Sequence, residues 1–253
     1  MLALERQQQI LDSLYREKRL YVSALSKRFN VTPETVRRDL EKLEQRGFLQ
    51  RTYGGAVIDR KNSQELPYKE RQTINQSLKQ TIASLAVQCI GDGDHIMLDA
   101  TSTAYELLAA THHFNNLTIT TNSARIAAEC ADSPHNIVTL GGELRKRSMS
   151  YTGSLTEEYA RHFNGDICFF SCRGIHPSRG ITEATLSEAR VKRAMLEQCD
   201  RRILLVDHTK FDKTTFVNLC DFNQLDVIVT DKPLSAEWED KLAGLGIRLI
   251  AGS

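Results

Sequence analysis

The chain has 253 residues, 41% of them apolar and 26% charged, enough for more than one packed core and too apolar for a disordered polymer. No apolar run approaches bilayer length and no leader-like core follows basic residues at the start, so neither a membrane span nor export is expected, and a cytoplasmic protein is. The net charge of +1 hides an asymmetry: residues 1–60 hold 12 Lys or Arg against 8 Asp or Glu, and the remainder holds 21 against 24, which makes the amino-terminal end the one suited to nucleic acid.

In chain order, Glu5 to Arg16 carries Ile10, Leu11 and Leu14 at helical spacing, and Ser23 to Phe29 predicts a second short helix. A brief Asn30-Val31 link leads to a third, opened by Thr32 as N-cap, Pro33 at the first helical position and Glu34 at the positive end of the dipole, and stopped by Gly47. Val36, Leu40 and Leu43 form its buried stripe, which turns Thr35, Arg37, Arg38, Glu41 and Lys42 outward. Two short helices joined this way predict a helix-turn-helix whose second member enters the major groove of double-stranded DNA. Phe48 to Val57, two apolar runs around Gly54-Gly55, predicts a β-hairpin wing. Thr35 and Arg37 are the candidates for base edges, and Arg38, Lys42 and wing Arg51 for phosphates; Ser23, Thr32 and Tyr53 complete the candidate DNA-binding set. The competing reading of the arginines is a solvated helix face, with Glu41 as the partner of Arg37.

Asp59 to Pro67 is polar, aperiodic and ends in proline, which predicts a linker at 59–67 between a DNA-binding domain at 1–58 and an α/β domain at 68–253. A helix through Ile82, Leu85, Ala86 and Cys89 comes first. Strands follow at His95 to Leu98, Leu117 to Thr121, Ile137 to Leu140, Ile167 to Cys172, Ile203 to Val206, Val227 to Val229 and Arg248 to Ile250, most separated by amphipathic helices. That alternation implies a largely parallel sheet covered on both faces, with ligands beyond the carboxyl ends of its strands. The residues there are small and polar: Asp99, Thr101, Ser102 and Thr103, then Thr121 and Asn122, Gly141 and Gly142, Arg173 and Gly174, and the Asp207-His208-Thr209-Lys210 turn. A helix starting at the hydroxyl-rich loop would aim amides at an anion, and Lys210 would add a cation. The six cysteines, at 89, 130, 168, 172, 199 and 220, sit in apolar segments without metal-ligand spacing; they are expected to be buried thiols, with neither metal nor cofactor.

The Thr-Val-Arg-Arg-Asp-Leu segment at 35–40 with the following Gly-Gly resembles the winged helix of the DeoR family of bacterial sugar-metabolism regulators. The strand-end pattern is similar to that family's sensor domain, whose fold resembles ribose-5-phosphate isomerase and glucosamine-6-phosphate deaminase. The resemblance implies a homo-oligomeric repressor, dimer or tetramer, with operator DNA and a phosphorylated sugar as partners. It places Asp99, Thr101, Ser102 and Thr103 in the phosphate loop, and Thr121, Asn122, Gly141, Gly142 and Gly174 at the family's Thr-Asn, Gly-Gly and Gly-Ile. Glu188 and Lys192 match its Glu-x-x-x-Lys helix, and Lys210 its Asp-x-x-Lys-Phe turn. Thr101 and Ala104 depart from the pattern, many relatives having glycine and threonine there. The alternative is a sugar-phosphate isomerase or deaminase carrying a DNA-binding extension, with Asp99, Glu183 or Glu188 as base. An RNA-binding winged helix is disfavoured because no aromatic stacking platform accompanies it.

Overall fold

The computed structural model describes residues 6, 7, 9, 10, 13, 14, 17, 19–45, 49–57, 66–130 and 133–253. They form two compact units, Met1–Leu66 and Pro67–Ser253. The expected helix stop at Gly47, the start of the wing at Phe48 and linker residues 59–65 lie outside the described residues.

In the first unit the described residues between 6 and 17 are helical. β1 (Arg19–Tyr21) then leads into the helix Val22–Phe29, and the recognition helix Pro33–Gln45 follows. Asn30 makes the turn between these helices in the left-handed region, φ 49°, a conformation its short polar side chain tolerates. β2 (Gln50–Thr52) and β3 (Gly55–Val57) form the wing, and β1 pairs with β3 to give a three-stranded antiparallel sheet in the order β1-β3-β2. The strand at β1 was not predicted, being only three residues long and largely exposed. Ile10, Leu14, Leu25, Val36, Leu40 and Leu43 close the core.

The Gly-Gly of the wing does two jobs. Gly54 makes the turn with Tyr53 at φ +85° in open space, whereas Gly55 lies inside β3, where a Cβ would stand 2.0 Å from the carbonyl oxygen of Leu20. The second glycine is therefore required by the close approach of β1 and not by the turn.

The second unit contains β4 (His95–Leu98), β5 (Thr118–Thr121), β6 (Asn136–Thr139), β7 (Glu143–Arg145), β8 (Ser150–Thr152) and β9 (Gly165–Phe170). β10 (Gly174–His176), β11 (Gly180–Glu183), β12 (Cys199–Leu205), β13 (Val217–Cys220), β14 (Val227–Thr230) and β15 (Arg248–Ala251) follow. Seven of these form a parallel sheet in the order β15-β14-β12-β9-β4-β5-β6, and they are the seven read from the sequence. Both faces are buried: Ile96, Leu98, Ile167 and Phe169 enter one core, and Met97, Cys168 and Phe170 the other, the two-residue alternation of a strand covered on both sides. The β7-β8 hairpin and the antiparallel sheet β10-β11-β13 were not anticipated. Among the described residues no helix is long and apolar enough to cross a membrane, all six cysteines are buried free thiols, and no cluster suited to a metal ion is found.

Strand order locates the binding end of the sheet. From β4 the chain winds outward through β5 and β6, then returns to β9 on the other side of β4 and winds away through β12, β14 and β15. The switch point thus lies between β4 and β9, where the connections diverge and a crevice forms beyond the strand ends. Asp99 follows β4, and Ser171 follows β9.

Candidate functional site

The recognition helix begins as the sequence dictates. Thr32 Oγ1 accepts the Thr35 amide at 3.2 Å and lies 2.9 Å from the Thr35 hydroxyl, an N-cap bond that satisfies one orphan donor. Arg37, Arg38 and Lys42 project from the exposed face, Thr35 is half-buried, and Ser23, Arg51 and Tyr53 are exposed. The Arg37–Glu41 pair of the competing reading does not form. Glu34 instead meets Arg37 at 3.3 Å and Arg38 at 3.8 Å, because a carboxylate in the first turn reaches one turn forward to both guanidinium groups. Exposed pairs of this kind contribute little. Wing Arg51 is tied to the recognition helix, its Nε 2.7 Å from Glu44 Oε2 and its amide donating to Glu44 Oε1 at 2.8 Å.

Asp39, to which no role was assigned from the sequence, is buried on the opposite face of the helix. It accepts from Arg6 Nε at 2.6 Å and Gln7 Nε2 at 2.9 Å, fixing the recognition helix to the first helix. Its place three residues after Val36, on the buried stripe, was the available signal.

At the carboxyl ends of the parallel strands the central feature is Lys192. Its ammonium is buried on the helix Leu186–Glu197, with Glu183 Oε2 at 2.6 Å, Ser171 O at 2.7 Å and Asp99 Oδ2 at 3.0 Å, three acceptors for three hydrogens. Burial alone would lower its pKa, yet the Asp99, Glu183 and Glu188 carboxylates overrule it and hold the lysine charged. Asp99 is equally committed: Oδ1 accepts the Thr101 amide at 3.0 Å and the Thr101 hydroxyl, and Oδ2 accepts the Ser171 amide at 2.9 Å. Both sides of the β4–β9 crevice are thereby tied together.

Glu183 also faces Arg173 at 3.5 Å. Glu188 accepts from Ser150 at 3.0 Å and meets Arg145 at 3.1 Å. Burial would push Glu188 up, but the charges of Lys192, Arg71 and Arg173 and a hydrogen bond from Ser148 outweigh it and hold it at about 2. Asp99, Glu188 and Lys192, expected at the ligand, are thus engaged internally. Glu183, a candidate base in the enzymatic alternative, is a central member of the same buried cluster.

The other expected residues surround this cluster. Thr101 is the N-cap of the helix Ser102–Ala109, its hydroxyl accepting the Ala104 amide at 3.3 Å. Ser102 donates to the carbonyl of Arg71 at 3.3 Å, and Thr103 is buried. Thr121 accepts the Ser123 amide, and Asn122 donates to Tyr151 O at 3.0 Å; Asn122 Oδ1 is buried with no hydrogen-bond partner among the described residues. Gly142 fits where a Cβ would stand 2.0 Å from Thr156 Oγ1, and Gly174 where one would stand 2.5 Å from Lys213 O, whereas Gly141 has open space. Lys210 reaches across from the end of β12 to Ser171 Oγ at 3.0 Å, with Asp207 at 3.7 Å. Beside it His208 places Nδ1 2.6 Å from Asp231 Oδ2 at the end of β14. Two open depressions of about 370 and 440 Å³ lie elsewhere, and neither is lined by Asp99, Lys192 or Lys210.

A winged helix with an outward cationic face and a doubly covered parallel sheet with a polar switch-point cluster define a DNA-binding regulator with a ligand-sensing domain. The chain belongs to the DeoR family: residues 6–62 match the DeoR-like helix-turn-helix domain and residues 74–232 the DeoR C terminal sensor domain. It is 34% identical to the HTH-type transcriptional regulator YulB of Bacillus subtilis, over 92% of this chain and 91% of that one. With the transcriptional repressor AccR of Agrobacterium fabrum it shares 34% identity over 90% and 89% of the two chains. With the HTH-type transcriptional repressor GlcR of Bacillus subtilis the values are 32%, 97% and 95%. Among solved structures, ribose 5-phosphate isomerase A of Methanocaldococcus jannaschii aligns with a TM-score of 0.40 at 17% identity, over 54% of this chain and 55% of that chain. The protein is a DeoR-family transcriptional regulator with a sensor domain, and the isomerase or deaminase alternative is set aside because the relatives matching nearly its whole length are regulators.

Proposed function

We propose that the protein is a homo-oligomeric, cytoplasmic repressor of a carbohydrate-utilisation operon, whose operator affinity is set by a phosphorylated sugar bound between the ends of β4, β9 and β12. The observation that carries this reading is the convergence of Lys210 on Ser171 at the switch point, beside the amino terminus of the helix Ser102–Ala109. Helix-first amides lack intrahelical acceptors and favour anions, so those of Ser102 and Thr103 together with Lys210 take the phosphate. Asn122 and Thr121 face the sugar hydroxyls, with Gly141, Gly142 and Gly174 leaving room for the walls. Thr101, Asp99, Glu188 and Lys192 position these groups from behind.

On DNA, Arg37 and Thr35 read base edges, Arg38, Lys42 and Arg51 hold phosphates, and Ser23, Thr32 and Tyr53 border the contact. Residues 1–58 form the DNA-binding domain and 59–67 its linker to the sensor. Two such units in an oligomer read paired half-sites. Linkage between effector and operator is reciprocal, with coupling of about 1–3 kcal/mol in typical cases.

The test is a thermal-shift screen of the whole chain against sugar phosphates, followed by fluorescence anisotropy on an operator duplex at graded salt. A bound effector raises the melting temperature and changes operator affinity. Lys210→Ala removes that response and keeps operator binding. Arg37→Ala costs operator affinity about 1–3 kcal/mol and relaxes preference at one base pair. Unaltered selectivity in Arg37→Ala, or an intact response in Lys210→Ala, refutes the respective assignment.

A further inference from the structure

The stretch that enters the sensor unit from the amino-terminal side is built into the wall of the crevice. The helix Tyr68–Thr73 ends at Ile74, and its last carbonyls, those of Arg71 and Ile74, both accept from the buried Lys79 Nζ. The Arg71 carbonyl also accepts from Ser102 Oγ, at the start of the helix that follows β4. On its other side, Asn75 Nδ2 donates to Thr209 Oγ1 at 3.4 Å, next to Lys210. A single turn of chain therefore touches Ser102 at the start of that helix and Thr209 in the turn that carries Lys210.

Lys79 stands at the centre of this contact. Two of its three hydrogens are spent on neutral carbonyls. Burial and then the neighbouring positive charge of Lys210 lower it to about 8, with Asp207 and Glu106 opposing and Arg71 adding to the effect. Asp207 is itself bonded to the Thr209 amide and hydroxyl and lies beside Lys210. Lys79 Nζ and Ser102 Oγ share the Arg71 carbonyl, and Asn75 ties the same stretch to Thr209 beside Lys210, so the ammonium lies next to the start of the helix Ser102–Ala109, where an added anion would relieve its repulsion by Lys210. A phosphate oxygen is also the stronger acceptor, because it meets the ammonium with a formal negative charge where a carbonyl offers only a dipole.

We propose that Lys79 is an anion-contacting residue of the effector site, borrowed from the carboxyl terminus of the helix Tyr68–Thr73, and that phosphate binding draws it away and loosens that helix. The proposal rests on the effector site described under the proposed function. It gives the sensor a physical route to the DNA-binding unit, because the helix continues directly from Leu66 and Pro67 and its cap is lost when the crevice fills.

The experiment uses the whole chain with inorganic phosphate, ribose 5-phosphate and glucosamine 6-phosphate as probes, against chloride at equal ionic strength. It reads melting temperature and amide hydrogen exchange. In the wild type, a probe that raises the melting temperature speeds exchange at residues 70–74 at least threefold and leaves β9 unchanged. In Lys79→Gln the melting shift falls below one third of the wild-type value, and exchange at 70–74 is fast without any probe; Lys79→Arg keeps the shift. Should a probe stabilise the wild type without altering exchange at 70–74, the proposal is overturned whether or not Lys79→Gln folds. A full melting shift in Lys79→Gln alongside a lost one in Lys210→Ala overturns the role of Lys79 and leaves the phosphate site standing. No shift from any probe in the wild type brings down both.

Discussion

Replacing Lys192 by methionine separates two roles for this residue. If the ammonium were a solvent-facing cation waiting for an effector, its loss would abolish the response and leave stability nearly unchanged. The structure places it instead among Glu183 Oε2 at 2.6 Å, Ser171 O at 2.7 Å and Asp99 Oδ2 at 3.0 Å, with all three side chains at most 4% exposed. Removing one partner of a buried ion cluster leaves uncompensated carboxylates and costs about 3–5 kcal/mol. The assay is urea denaturation followed by fluorescence of Trp238, the only tryptophan in the chain and a buried reporter inside the sensor unit. The loss carries a pH signature. In the wild type the charge of Lys192, with that of Arg173, outweighs burial and keeps Glu183 below the usual carboxylate range, so its contribution is present above pH 4.5 and fades on acidification. In Lys192→Met burial prevails, Glu183 titrates above that range, and protonation relieves the unpaired charge as the pH falls. The gap between the two proteins is therefore widest at pH 7 and narrows towards pH 5. A loss under about 1 kcal/mol at pH 7, or a gap that widens in acid, refutes the argument, since the measured pair would then behave like an exposed one.

Asp39→Ala removes the carboxylate shared by Arg6 and Gln7 and should speed amide exchange in the recognition helix at least tenfold, with weaker operator binding; unchanged exchange would show that apolar packing alone seats the helix. Gly55→Ala should destabilise the wing by about 1–3 kcal/mol because its Cβ meets the Leu20 carbonyl, with β1 amides losing protection, whereas Gly54→Ala meets only the strain of a positive φ. Glu188, held at about 2 and so well below the ordinary carboxylate range, contributes stability that is fully present above pH 4.5 and lost as the pH falls towards 2. Glu188→Gln should flatten the stability profile between pH 5 and 3, read by the same Trp238 denaturation, and an unchanged slope would count against that cluster.

Much of the molecule is legible in the amino-acid order because its elements are locally specified. Thr32 caps the recognition helix through a bond spanning three residues, and its apolar stripe has the period of the helix itself. The seven parallel strands are short β-branched and apolar runs buried on both faces, which no other local structure explains as well. The β7-β8 hairpin and the β10-β11-β13 sheet are not legible in the sequence because their strands are three or four residues long and mix polar with apolar positions. Strands that short have no period to read.

The sequence by itself determined the two-part architecture, the helix that carries Arg37, Arg38 and Lys42 with its wing, and the strand ends where polar residues gather. Only the tertiary structure decided which of those residues meet. Asp99 and Lys192 stand 93 positions apart in the chain, and nothing local to either reveals that they neutralise one another between β4 and β9. Nor does the Gly54-Gly55 pair disclose that one serves a turn and the other the passage of a neighbouring strand. Capping and periodicity act over a few residues and are written in their order. Charge compensation and close approach act through space, and exist only once the chain has brought distant segments together.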